Sequence, residues 1–97
     1  IDLTAEAEDT TAIAATLRLY RAKAMRHLGL FNAAREILSK TISDSKRYPR
    51  ELVHAFRYER AQVYEALGQA KRARKEYERI YTEDSGYEDV SSRLGLG

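Results

Sequence analysis

The 97-residue sequence contains no cysteine and no tryptophan, a single proline and five glycines. Without cysteine there is no disulfide scaffold, no thiolate metal site and no cysteine nucleophile. So few chain breakers point to long helices rather than to a turn-rich β protein. Long apolar runs are missing as well, and nothing approaches the ~18 residues that a membrane span needs. A large net charge is absent, since 17 Lys and Arg against 15 Asp and Glu leave +2. What is present is 43% hydrophobic residues with seven tyrosines and two phenylalanines. That composition supports a packed core, unlike the aromatic-poor, highly charged composition of disordered chains. A chain of this size makes one domain that buries roughly 65% of its unfolded surface. The sequence begins at Ile1 without the basic, apolar and small-residue succession of a signal peptide. We therefore expect a cytoplasmic piece of a longer protein.

The near-neutral charge is a cancellation. Residues 1–9 carry four acids and no base, a charge of −4. Residues 10–81 carry sixteen bases against seven acids, giving +9, and residues 82–97 carry one base and four acids, giving −3. A basic body thus lies between two acidic ends. The expectation is that the ends meet the body, within one chain or head to tail between chains, in a salt-sensitive way.

Apolar residues recur at helical steps of three and four along most of the chain. From residue 10 to 28, Ile13, Leu17, Tyr20, Ala24 and Leu28 form one stripe, and Gly29 ends the helix. A second stripe runs Phe31, Ala34, Leu38 and Ile42 and fades into Ser43-Asp44-Ser45. Tyr48-Pro49 opens a third helix, because proline fits a first turn and disfavours helix before it. Glu51 sits near that helix's positive end. The third stripe is Leu52, Phe56, Val63 and Leu67, widened by Ala55 and Tyr64 and ended by Gly68. The fourth carries Ala70, Ala73, Tyr77, Ile80 and Tyr81 and stops near Asp84-Ser85-Gly86. A short last helix from Tyr87 to Leu94 puts Tyr87, Val90 and Leu94 on one side. No alternating strand pattern persists anywhere, so the fold class is all-α with about five helices.

Leu28-Gly29 and Leu67-Gly68 stand 39 residues apart, and their surroundings match at that offset. Ala22 meets Ala61, Met25 meets Tyr64, Ala34 meets Ala73, and Leu38 meets Tyr77. Alanine at such positions lets two helices approach closely, while the larger residue one turn on fills the gap beyond. Recurrence with a period of 20–50 residues is the signature of a solenoid. These residues resemble the tetratricopeptide repeat family. Its small, large, Gly, Ala, aromatic order is matched by Ala61, Tyr64, Gly68, Ala73 and Tyr77, and more loosely by Ala22, Met25, Gly29, Ala34 and Leu38. The resemblance covers roughly residues 15–85. The tail Tyr77-Glu78-Arg79-Ile80, then Asp84 and Tyr87-Glu88-Asp89-Val90, looks like the end of bacterial arrays of this kind. Two departures stand out: the closing proline is replaced by Ser85, and the period exceeds the family's usual 34. The resemblance implies a right-handed α-solenoid, with repeat 1 at 10–45, repeat 2 at 49–84 and a capping helix at 87–94.

For catalysis the sequence offers little. His27 and His54 are the only histidines, and neither has a partner at metal-ligand or nucleophile-motif spacing. Both read as partly exposed helix residues. Glu83-Asp84 and Glu88-Asp89 lack the order of a calcium loop, and the isolated glycines form no phosphate loop. No enzyme and no cofactor is expected.

Binding is the stronger reading. In a repeat array of this kind the first helix of each unit lines a concave face. Thr16, Leu19, Tyr20, Lys23, Arg26 and His27 would come from unit one. Ala55, Tyr58, Glu59, Gln62 and Glu65 would come from unit two. Of these, Tyr20, Lys23 and Tyr58 are the leading contacts, since rigid amphipathic rings bind at small entropic cost. Family members that grip peptide C-termini use a Lys and Asn clamp. Leu19, Lys23 and Glu59 at the matching positions disfavour that role here. The implied partner is a protein or peptide.

Nucleic acid is the rival partner, because Lys-Arg-Ala-Arg-Lys-Glu-Tyr-Glu-Arg at 71–79 and Arg18, Arg21, Lys23 and Arg26 form basic groups. Yet Lys71/Lys75, Arg72/Glu76 and Lys75/Arg79 are helical neighbours, and with Arg72/Glu76 of opposite sign the run reads as a solvated or internally paired face. Self-association is the third reading. Two units leave an apolar end open at the N-terminal side, where only Ile1 and Leu3 precede Ile13 as large apolar residues. That end would meet further repeats or a second copy, making a homodimer.

Overall fold

The computed structural model describes residues 3–96, with side chains described from Thr11 onward. The expectations placed on the acidic segment 1–9, and on Ile1 and Leu3 as an apolar cover, lie outside the described side chains. Five α-helices follow one another: α1 (Leu3–His27), α2 (Phe31–Ser43), α3 (Arg50–Ala66), α4 (Ala70–Glu83) and α5 (Val90–Arg93). A 3-10 turn, Ser45–Arg47, joins α2 to α3. No strand occurs among the described residues, so the all-α class holds. No helix is long and apolar enough to cross a membrane among the described residues.

Local chemistry sets the helix ends. Gly29 and Gly68 have φ of 80° and 76°, a left-handed conformation that glycine adopts without a Cβ clash. In both turns the hydrogen bonds are the same. Gly29 N–H donates to Arg26 O at 3.0 Å and Leu30 N–H to Met25 O at 2.8 Å. Gly68 N–H donates to Glu65 O at 3.0 Å and Gln69 N–H to Tyr64 O at 2.8 Å. This paired arrangement satisfies the last carbonyls of each helix and turns the chain back on itself. Gly95 repeats it after α5, a recurrence the offset of 39 does not reveal. Pro49 precedes α3, and its carbonyl accepts from Leu52 and Val53. The last helix is shorter than the expected Tyr87–Leu94. Glu88 has φ 42°, outside the helical range, so the helix forms only from Val90.

Each helix packs on the next, and α1 also touches α3 across α2. The core forms two clusters. One joins Ala15, Leu19 and Ala22 of α1 with Ala34, Leu38 and Ile42 of α2 and Phe56 and Val63 of α3. The other joins Ala61, Ala73, Tyr77 and Ile80 to Val90 and Leu94, with Tyr58, Tyr64, Tyr81 and Tyr87 around them. Ala22, Ala34, Ala61 and Ala73 are all buried, as close helix approach requires.

The α1 stripe is the main correction to the sequence reading. Ile13, Leu17, Tyr20 and Leu28 are 61%, 64%, 62% and 75% exposed, whereas Ala15, Leu19 and Ala22 are buried. Positions two apart on a helix lie about 200° around its axis. Ile13, Leu17 and Tyr20 therefore sit on the side of α1 opposite its core face, and Leu28 lies exposed in the turn that follows. Ala15, Leu19 and Ala22 won the core, where the two alanines let α2 and α3 come close.

Candidate functional site

Helical spacing places Lys23, Arg26 and His27 along one side of α1, and Ala55, Tyr58, Glu59 and Gln62 along one side of α3. Together with Tyr87 and Glu88 they line a groove of about 310 Å³. Seven of the eleven expected contacts meet here: Lys23, Arg26, His27, Ala55, Tyr58, Glu59 and Gln62. Thr16, Leu19, Tyr20 and Glu65 do not. Thr16 turns its hydroxyl onto the carbonyl of Ala12 at 2.8 Å, and Leu19 belongs to the core. Tyr20 lies on the exposed stripe, with the Lys23 ammonium 5.7 Å from its ring centre.

Two of the groove residues are held by partners that sequence spacing does not indicate. Glu59 is 1% exposed, and its Oε1 accepts from Arg26 Nε at 2.5 Å across 33 residues of sequence. A buried carboxylate demands such a charged, hydrogen-bonded partner, so this pair fastens α1 to α3. The Tyr58 hydroxyl donates to Asp89, and its ring meets those of Tyr77 and Tyr87 edge-on at 5.8 and 6.0 Å. Asp89 Oδ2 also accepts from Arg93 Nε at 3.0 Å. Arg93 reaches on to Glu65 Oε1 at 3.1 Å, which the Tyr77 hydroxyl joins at 2.7 Å. Glu65 thus serves this network at the end of α3 and does not line the groove. Only the Asp89/Arg93 step, four residues apart across the start of α5, carries a local sequence signal.

This network shifts its members' proton affinities. Burial, and then the bond to Asp89, push the Tyr58 hydroxyl up to about 12. The same bond holds the Asp89 carboxyl below the ordinary carboxylate value. Burial raises Tyr77 and Tyr87 as well. The folded state therefore keeps phenolic protons that the unfolded chain releases near pH 10. Their stabilisation is complete below pH 10 and is lost as pH rises from there through 12. Thermal melts from pH 9 to 12 should show Tm falling less steeply for Tyr58→Phe than for the parent chain. Parallel slopes would contradict that assignment.

The remaining candidates also find places. His54 is buried rather than partly exposed. Tyr87 lies 5.5 Å from it ring to ring, and Glu83 Oε2 is 3.7 Å from its Nε2. His27 is exposed at the groove mouth. In the basic run, Arg74 pairs with Glu78 at 3.0 Å and Arg72 lies over the Tyr64 ring. Glu76 turns inward to Arg60 and Arg57 rather than pairing with Arg72. Among the described residues no group of three or more His, Asp or Glu is arranged to hold a metal ion. Comparison with family models, with curated proteins and with solved structures finds no match to this chain.

Proposed function

We propose that the chain is a non-catalytic, tetratricopeptide-like interaction module, and that the groove between α1 and α3 receives a peptide or a helix of a partner protein. Its helices would form a right-handed solenoid of two hairpins, α1–α2 and α3–α4, closed by α5. Three features support the repeat reading. The two Leu-Gly turns share their hydrogen bonds, the four alanines at the 39-residue offset are all buried, and successive helices pack in order with α1 also reaching α3. In such an array first helices stand side by side and second helices support them from behind.

The observation that carries the functional reading is the groove itself. It gathers Lys23, Tyr58 and Gln62, polar or amphipathic groups suited to orienting a ligand. Arg26 and Glu59 neutralise one another beneath it, so they set the groove's shape more than its charge. Partner capture should therefore depend on Lys23 and Gln62. The double variant Lys23→Ala/Gln62→Ala should lose partner binding by about tenfold or more. Tyr20→Ala, outside the groove, should retain it. Equal recovery of the same partner by the parent chain and the double variant would remove the groove from consideration.

The exposed stripe of α1 favours a second reading, self-association. Ile13, Leu17 and Tyr20 on one face of α1, each more than 60% exposed, form the kind of patch that marks an interface. A second copy meeting α1 would bury it. Sedimentation equilibrium should then give a mass that rises with concentration above the 11.1 kDa of one chain. Leu17→Glu should return it to the monomer value, and a concentration-independent monomer of the parent chain would end this reading.

A further inference from the structure

On the other side of α3 from the groove lies a cavity of about 410 Å³, between the Ser45–Arg47 turn, the start of α3 and the end of α4. Four cationic side chains line it, Lys46, Arg50, Arg57 and Arg79, against the single acid Glu83. Glu83 lies 3.9 Å from Arg50 and 3.7 Å from His54, and one carboxylate offsets only one of the four charges. Arg57 is the unusual member, because it is only 8% exposed and buried cations normally find a hydrogen-bonded counter-ion. Its ion pair, to Glu76 Oε2, spans 3.7 Å, beyond hydrogen-bond range. That Glu76 oxygen itself lacks a hydrogen-bond partner, while the other Glu76 oxygen is committed to Arg60. Burial and the neighbouring Arg79 both lower Arg57's proton affinity. A guanidinium does not escape by losing its proton, so the cavity holds a cation whose charge is under-compensated.

We propose that this cavity binds a phosphoryl group. Arginine forks match the oxygens of a tetrahedral oxyanion in pairs, and three arginines with a lysine exceed what Glu83 and a Glu76 shared with Arg60 can neutralise. The volume accommodates a phosphoryl group together with the group that carries it. The site is a single recess rather than a stripe along the surface, which suits one phosphoryl group better than a run of nucleic-acid phosphates. It lies apart from the α1–α3 groove and does not depend on the function assigned there. Two sources share this chemistry, free phosphate and a phosphorylated side chain of a partner.

Titrating the 97-residue chain with inorganic phosphate, at constant ionic strength set by chloride, tests the proposal by amide chemical shifts. We expect saturable one-to-one binding with the shifts centred on α3 and the 45–50 segment. Arg57→Gln should weaken it about tenfold or more, as loss of a charge-assisted contact does. Arg79 is exposed, so Arg79→Gln tests the same site without touching the core and should weaken binding as well. Lys71→Gln, on the exposed start of α4, should leave it unchanged. A second arm compares a phosphoserine peptide with its unphosphorylated form. Binding of the phosphopeptide at least tenfold tighter than phosphate assigns the site to a modified partner, and equal or weaker binding assigns it to the free ion. A non-saturating response, or equal phosphate affinity in Arg79→Gln, would overturn the site. So would single-stranded oligonucleotide binding that survives both arginine substitutions while phosphate has no effect.

Discussion

Phe56→Ala should lower folding stability by about 3–5 kcal/mol, the range for removing a fully buried phenylalanine. Phe56 is 0% exposed and belongs to the cluster that α1, α2 and α3 build together. The Tyr48 ring stands 6.3 Å away at a tilt. Truncation removes the apolar transfer energy and also leaves a hole at a three-helix junction, where no single helix can close it without leaving another. A domain of this length is expected to have only about 5–15 kcal/mol of stability in total. The variant should therefore be near the edge of folding. Urea unfolding should show a lower midpoint with an unchanged slope. Leu17→Ala provides the contrast. Leu17 is 64% exposed, and its truncation should stay within about 0.5 kcal/mol. A large loss at Leu17 would mean that its face of α1 is covered in solution.

Glu76→Gln should destabilise by a similar amount, about 3–5 kcal/mol, for an electrostatic reason. Glu76 is 8% exposed and is the acid between Arg60 and Arg57. Arg60 also bonds Ser39 Oγ at 3.3 Å, so this cluster ties α4 through α3 to α2. The glutamine keeps the shape but removes the charge, leaving two guanidinium groups close together where water is scarce. Breaking such a cluster costs far more than the cluster contributes when whole, because the stranded charges keep their desolvation penalty. Glu78→Gln should cost no more than about 0.5 kcal/mol, since its pair with Arg74 is exposed. Adding Arg60→Met to Glu76→Gln should recover part of the loss, read as a coupling in the double-mutant cycle. Equal midpoints for Glu76→Gln and Glu78→Gln would refute the buried-cluster account.

Several features of the fold were legible in the sequence because they are local. Gly29 and Gly68 mark helix ends, since a positive φ favours glycine whatever surrounds it. Pro49 marks the start of α3 for an equally local reason. The stripes of α2, α3 and α4 identify their buried faces, because in each helix the apolar residues cluster on one side. In α1 that logic fails. Ile13, Leu17 and Tyr20 lie opposite Ala15, Leu19 and Ala22, and periodicity alone favours the bulkier face. The candidate site shows the same division. The spacing of Lys23, Arg26, Tyr58, Glu59 and Gln62 along two helices brought them to one groove. Leu19 and Tyr20, their neighbours in sequence, went to the core and to the far face.

The sequence by itself determined that the chain is helical, where most of its helices end, and which small residues recur at an offset of 39. Each of these depends on backbone preference or on spacing within one helix. The tertiary structure decided which face of α1 is buried, that Arg26 fastens to Glu59 and Tyr58 to Asp89, and that four cations gather beside one acid. Those partners lie on different helices. Charge and size along the chain say that such groups need partners, and only the packing of the helices determines which groups meet.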